Sequence, residues 1–214
     1  MLTDRFPFSL YLVVSEADCR GRDSLWVAEE AILGGVDIVQ LREKNSTDAD
    51  FLAKARRIKH VTDRYGVPLI INDRLEVAMG VGAFGIHVGQ QDMPPTEARE
   101  RWPGCQLLGY SVERLQQLYG AEAEAADCFG VSPIFSTSTK TDTVTEWGLE
   151  GLRQIRKLTD KPLIAIGRMN PDNAGAAVKA GADCIAVVSA ICAAEQPRRA
   201  AAELKRIIEQ AKVK

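Results

Sequence analysis

The stretch Gly181-Ala182-Asp183-Cys184-Ile185-Ala186-Val187-Val188-Ser189-Ala190 decides the fold. A glycine stops a helical pattern, an Asp follows, and an apolar run then leads to a small polar residue. The same order stands at Gly35-Val36-Asp37 ahead of residues 38–43, and the similar Gly82-Ala83-Phe84 precedes residues 85–89. This is an internal echo of a βα unit. Working outward, eight such apolar runs occur, at 9–15, 38–43, 68–72, 85–89, 107–111, 128–134, 162–167 and 184–190. They read as near-continuous Val, Ile and Leu, the pattern of parallel strands covered on both faces. Helical patterns lie between them at 23–33, 49–65, 94–101, 112–118, 148–158 and 171–180, with a last one at 197–212. Gly34-Gly35 stops the first, Ser46-Thr47-Asp48 opens the second, and Pro171 and Gly181 bracket the sixth. Eight βα units in 214 residues predict an α/β fold, a (β/α)8 TIM barrel near the lower size limit. A doubly wound open sheet competes, but no GxGxxG follows the first strand.

No linker or low-complexity segment divides the chain, so residues 1–214 read as one domain. With 27 basic and 29 acidic side chains the formal net charge is -2, which gives no electrostatic footprint for nucleic acid. Any anion must be held by a few local groups. No apolar stretch approaches a membrane span, and no signal peptide is visible at the N-terminus. Cys19, Cys105, Cys128, Cys184 and Cys192 are odd in number and form no CxxC, which argues against a disulfide framework or a structural zinc site. Cys128 and Cys184 open apolar runs and read as small buried hydrophobes. A reducing, cytoplasmic setting fits; a homo-oligomer is compatible with the sequence.

Barrel active sites form where strands end. The second strand ends Gln40-Leu41-Arg42-Glu43-Lys44, with Arg42 and Lys44 spaced to share one face. They are either solvated rim charges or ligands of a polyanion. The third and fourth end Ile71-Asn72-Asp73-Arg74 and His87-Val88-Gly89-Gln90-Gln91-Asp92. Asp73 and Asp92 each read alone as helix N-caps; together, on adjacent strands, they form a hard oxygen set suited to Mg²⁺. His87 reads as a packed or hydrogen-bonded interior residue, and Ser111 at the fifth strand end as an anion donor or a cap. After the sixth strand, Ser136-Thr137-Ser138-Thr139-Lys140-Thr141 offers hydroxyls and a cation to a phosphate, as a lid would. Gly167 and Arg168 after the seventh strand, and Val188 and Ser189 after the eighth, suit a phosphate monoester held by backbone amides. The sum is two anion sites on one face with no nucleophile–base pair, a site for electrostatic stabilisation of a departing pyrophosphate.

These pieces in this order resemble the thiamine-phosphate synthase (thiamine-phosphate pyrophosphorylase) family. Further matching segments are Pro133-Ile134-Phe135, Gly148-Leu149-Glu150-Gly151-Leu152 and Ser189-Ala190-Ile191, so the resemblance spans nearly the whole chain. It implies a transferase of thiamine biosynthesis that joins 4-amino-2-methyl-5-hydroxymethylpyrimidine diphosphate to 4-methyl-5-(2-phosphoethyl)thiazole. By position, Gln40 would touch the pyrimidine. Arg42, Lys44, Asn72, Ser111 and Lys140 would hold the pyrophosphate, with Lys140, Ser111 and Arg42 as the catalytic groups. Asp73 and Asp92 would bind Mg²⁺. Thr137, Thr139, Gly167, Arg168, Val188 and Ser189 would hold the thiazole phosphate. The partners implied are these two small molecules, with no nucleic acid and no membrane.

Two departures from the family pattern stand out. The family usually has Gly-Gly after the seventh strand, whereas this chain has Gly167-Arg168. An amide donor survives at Arg168, and the side chain is tolerated where φ is not strongly positive. Glu113 takes a place where the family often has His. Alternative readings are a thiazole tautomerase-like isomerase, which tends to lose the pyrophosphate-binding pieces, and a non-catalytic thiamine-phosphate-binding relative.

Overall fold

A computed structural model describes residues 6–136 and 146–213. Eight parallel strands close into a barrel in sequence order, β1 (Leu10–Val14), β2 (Ile38–Leu41), β3 (Leu69–Asn72), β4 (Gly85–Val88), β5 (Leu107–Val112), β6 (Cys128–Val131), β7 (Leu163–Ala165) and β8 (Cys184–Val187). Tyr11 pairs with Ile38 of β2 on one side and Ala186 of β8 on the other, which closes the ring. Around it run α1 (Ser24–Leu33), α2 (Asp48–Arg64), α3 (Leu75–Gly80), α4 (Pro95–Arg101), α5 (Ala121–Ala125), α6 (Gly148–Arg156), α7 (Pro171–Lys179), α8 (Ser189–Cys192) and α9 (Pro197–Lys212). The predicted (β/α)8 architecture is the one observed.

The strands are apolar on both faces because both faces are covered. On β1, Leu10, Leu12 and Val14 pack outward against the helices, while Tyr11 and Val13 point into the barrel. Ile38, Ile70, Leu107, Cys128, Ile164 and Cys184 fill the interior beside them. The N-terminal end is plugged by Phe6, Phe8 and Phe84, stacked edge to face at 5.1 and 6.3 Å. All five cysteines are free and buried, and Cys128 and Cys184 are the interior hydrophobes expected. No described helix is long and apolar enough to cross a membrane.

The Asp of the repeated motif has a clear physical task. Asp37 Oδ2 accepts the N–H groups of Ser9 and Leu10 at 2.8 and 2.9 Å, and Lys205 pairs with it at 2.6 Å. Asp183 does the same for the Leu163 N–H at 2.8 Å, paired with Arg156. Asp127, which lacks the preceding glycine, does it for the Leu108 N–H at 2.7 Å, paired with Arg99. Each carboxylate thus satisfies the otherwise open start of the neighbouring strand and ties it to a helix.

Helix starts follow their caps: Asp23 accepts from the Leu25 N–H, Thr47 from Asp50, and Asn170 from Asp172 ahead of Pro171. The helix predicted over 112–118 is not formed. Val112 instead completes β5, and only a 3₁₀ turn, Leu115–Leu118, follows. Helices α3 and α5, of six and five residues, were not predicted; each is too short to show a helical period.

Candidate active site

A cavity of about 550 Å³ opens at the C-terminal ends of the strands. Gln40, Arg42 and Lys44 reach it from the end of β2, Asn72 and Asp73 from β3, and Asp92 from beyond β4. Ser111 lines it from β5. Gly167 and Arg168 follow β7, and Val188 and Ser189 follow β8, on the opposite wall. The structure therefore brings together eleven of the fourteen residues singled out in the sequence. The other three, Thr137, Thr139 and Lys140, lie outside the described residues.

The acidic pair has an unusual backbone beneath it. At Asp73 φ is +61°, and the Arg74 N–H bonds back to the Asn72 carbonyl at 2.7 Å, a tight three-residue turn. A three-residue turn with positive φ at its centre is rare and strained. The turn lets the Asp73 N–H extend the sheet to the His87 carbonyl at 2.9 Å and lets the chain break off into α3. The Asp73 carboxyl is pushed up to about 7, first by burial, then by its hydrogen bond to Asp92 and by that carboxylate's charge; Lys44 and Arg42 oppose the shift. Asp92 is held in turn by the Gly89 N–H, 2.7 Å from its Oδ2.

Two carboxyl groups in such contact share a proton or a cation. No group of three or more His, Cys, Asp or Glu side chains that could cage a metal occurs among the described residues. The pair is an incomplete oxygen set, which a hard divalent ion completes with water and substrate oxygens.

His87 lines the same cavity from β4. Its Nε2 lies 2.9 Å from Ser111 Oγ, the interior hydrogen-bonded role expected from the sequence. Gly109 and Gly130 on the next two strands make room for the ring. A Cβ on Gly109 would stand 2.4 Å from His87 Nδ1, and one on Gly130 would stand 2.8 Å from Cε1. Gln90 fixes the same corner: its Nε2 donates to the Ser111 carbonyl at 2.6 Å, and its Oε1 accepts from the Tyr110 hydroxyl at 3.0 Å. Tyr11 also lines the cavity, and its hydroxyl accepts from Gln40 Nε2 at 2.8 Å. Burial raises the Tyr11 hydroxyl well above its ordinary value, so it remains neutral. Tyr11 is not recognisable as a cavity residue from sequence, because a tyrosine within an apolar strand run reads as core. Buried Glu113 also lines the cavity, its N–H held by Gln117 at 2.7 Å.

On the far wall, Gly167 has φ +115°, and a Cβ there would come within 2.8 Å of the Pro133 and Ile134 backbone. Only glycine fits where these two loops cross. Arg168 corrects an expectation. Its φ is +51°, so this non-glycine residue occupies the left-handed region that the usual second glycine would adopt without cost. Its carbonyl is held by Asn173 Nδ2 at 3.0 Å, its side chain is exposed, and it lines the cavity mouth. Val188 and Ser189 open α8, and the first amide groups of a helix have no acceptor within it.

Two cations beside a pair of carboxyl groups, with hydroxyl and amide donors around them, stand at the C-terminal mouth of a (β/α)8 barrel, where enzymes of this fold carry their chemistry. A family model described as thiamine monophosphate synthase matches residues 10–191. The thiamine-phosphate synthase of Albidiferax ferrireducens is 48% identical over 200 residues, 94% of this chain and 91% of its own. That of Chloroflexus aurantiacus is 45% identical over 199 residues, 93% and 92% of the two chains. A solved structure, a thiamine phosphate pyrophosphorylase from Pyrococcus furiosus, superposes with a TM-score of 0.87 at 34% identity, covering 97% of this chain and 98% of the other. The chain belongs to the thiamine monophosphate synthase family, a family of transferases.

Proposed function

We propose that the protein condenses 4-amino-2-methyl-5-hydroxymethylpyrimidine diphosphate with 4-methyl-5-(2-phosphoethyl)thiazole, yielding thiamine phosphate and pyrophosphate. The observation that supports this most is a single cavity in which Arg42 and Lys44 stand with the Asp73–Asp92 pair, facing the loops after β7 and β8. In this reading Gln40 orients the pyrimidine. Arg42, Lys44, Asn72 and Ser111 hold the diphosphate, joined by Lys140 from beyond the described residues. Gly167, Arg168, Val188 and Ser189, with Thr137 and Thr139, hold the thiazole phosphate.

The step is dissociative. The bond between the methylene carbon and the diphosphate oxygen breaks, and its electron pair leaves with pyrophosphate. The amino-pyrimidine stabilises the methylene cation, and the thiazole nitrogen donates its lone pair to that carbon. Arg42, Lys44, Lys140 and Ser111 assist by stabilising charge that grows on the departing group. Asp73 and Asp92 would hold Mg²⁺, which when bound supplies further positive charge to the same oxygens. The cytoplasm, with its reducing conditions, suits five buried free cysteines.

A coupling assay with purified protein tests the reading. Both substrates with excess Mg²⁺ should give thiamine phosphate and pyrophosphate in equal amounts. Isomerisation of a thiazole phosphate alone, with no coupling, would overturn it in favour of the tautomerase alternative.

A further inference from the structure

The geometry points to Glu43 as a positioning residue that keeps its neighbours Arg42 and Lys44 directed at the diphosphate rather than at itself. The inference rests on the reading of Arg42 and Lys44 as diphosphate ligands. In Arg42-Glu43-Lys44 the acid is the chain neighbour of both cations, and a carboxylate turned toward them would compete with an anionic substrate. Here the chain sends Arg42 and Lys44 into the cavity, while Glu43 lies outside its lining.

The carboxylate is engaged elsewhere. Glu43 Oε1 accepts from the Glu16 backbone N–H at 2.9 Å and from Lys54 Nζ at 3.0 Å, and only 10% of the side chain is exposed. Lys54 comes from α2, where its Nζ also lies 3.4 Å from Glu16 Oε2. Glu16 Oε2 accepts in turn from Ser24 Oγ of α1 at 3.0 Å. One carboxylate thus joins the end of β2 to the loop after β1 and to α2. This has two consequences. The strand end is fixed in the orientation that presents both cations, and the negative charge between them in the chain is matched by a third cation outside the site.

Lys54 gives the test, because removing it leaves Glu43 charged and short of a partner. Pyrophosphate binding in the presence of Mg²⁺ is measured by calorimetry on the full chain. Lys54→Met should weaken it about tenfold, with a matching fall in kcat/KM for the pyrimidine diphosphate and no change in the KM for the thiazole phosphate. Adding Glu43→Gln to Lys54→Met should restore binding to within about threefold of wild type, since a neutral amide does not compete for the cations. Lys54→Arg should bind like wild type. If Lys54→Met does not fold, Lys54→Gln replaces it in the same comparison. A merely structural network predicts the reverse, a double variant at least as weak as the single one, and that result overturns the inference. Arg42→Ala is the control. If it weakens pyrophosphate binding while the Lys54 variant does not, this inference alone fails. If neither does, the diphosphate reading of Arg42 and Lys44 fails with it.

Discussion

Nε2 of His87 stands 2.9 Å from Oγ of Ser111, and two glycines on the neighbouring strands make the pairing possible. The ring occupies the space that side chains at Gly109 and Gly130 would fill. Gly109→Ala should therefore cost about 1–3 kcal/mol of stability through overpacking. The double variant Gly109→Ala/His87→Ala should recover part of that loss in urea denaturation. A neutral Gly109→Ala would show that the ring has room to move aside.

Ser111 is the other half of the pair, proposed to donate to the diphosphate. A hydrogen bond to a charged group contributes about 1.5–3 kcal/mol. Ser111→Ala should lower kcat by about one to two powers of ten, with a fall of a few °C in the thermal midpoint from the lost hydrogen bond to His87. A change in the thiazole phosphate KM alone would move Ser111 to the other subsite.

Asp73 sets a pH dependence in the metal-free protein. Its carboxyl titrates at about 7 when folded, against 3.8 ordinarily. Between those values the folded state keeps a proton that the unfolded state has lost, so this group makes stability fall as pH rises from about 4 to 7. Asp73→Asn should remove that component, seen as the difference between wild-type and variant unfolding curves across the window. Saturating Mg²⁺ should flatten the wild-type curve as well, because the ion replaces the proton. A wild-type curve that rises relative to the variant over the same range would contradict the shared-proton pair.

Arg168 carries a left-handed backbone without glycine's freedom. Arg168→Gly should relieve about 1 kcal/mol of strain, partly offset by the greater freedom of glycine in the unfolded chain. A small rise in Tm, about 1–3 °C, is expected. The exposed guanidinium would be lost from the cavity mouth, so the thiazole phosphate KM should rise about tenfold or less with kcat little changed. A large gain in kcat/KM instead would mark Arg168 as an obstruction.

The strands were legible because each is buried on both faces, which leaves long apolar runs in the sequence. The Asp of Gly35-Val36-Asp37 and Gly181-Ala182-Asp183 was visible, but its bond to the next strand was not, since that contact is non-local. Polar and charged residues directly after apolar runs, such as Asp73 and Arg42, stood out against their surroundings. Tyr11 did not, because nothing local separates an interior tyrosine on a cavity floor from one in the core. The left-handed conformation of Arg168 was equally hidden, as nothing local in the sequence marks a positive φ at an arginine. Glu43 sits in a visible motif, yet its direction depends on Lys54 eleven residues away.

The Mg²⁺ dependence of pyrophosphate release by Asp92→Asn tests the central claim most directly. Asn retains an oxygen to accept the Gly89 N–H that now bonds Asp92 Oδ2, so the fold should persist, as checked by circular dichroism. With both substrates saturating, the variant should lose about 10²-fold or more in turnover, in the range seen when one electrostatic stabiliser is removed. High Mg²⁺ should restore only part of the loss. Near-normal turnover by Asp92→Asn at low Mg²⁺ would contradict a diphosphate departure assisted by a cation on the Asp73–Asp92 pair.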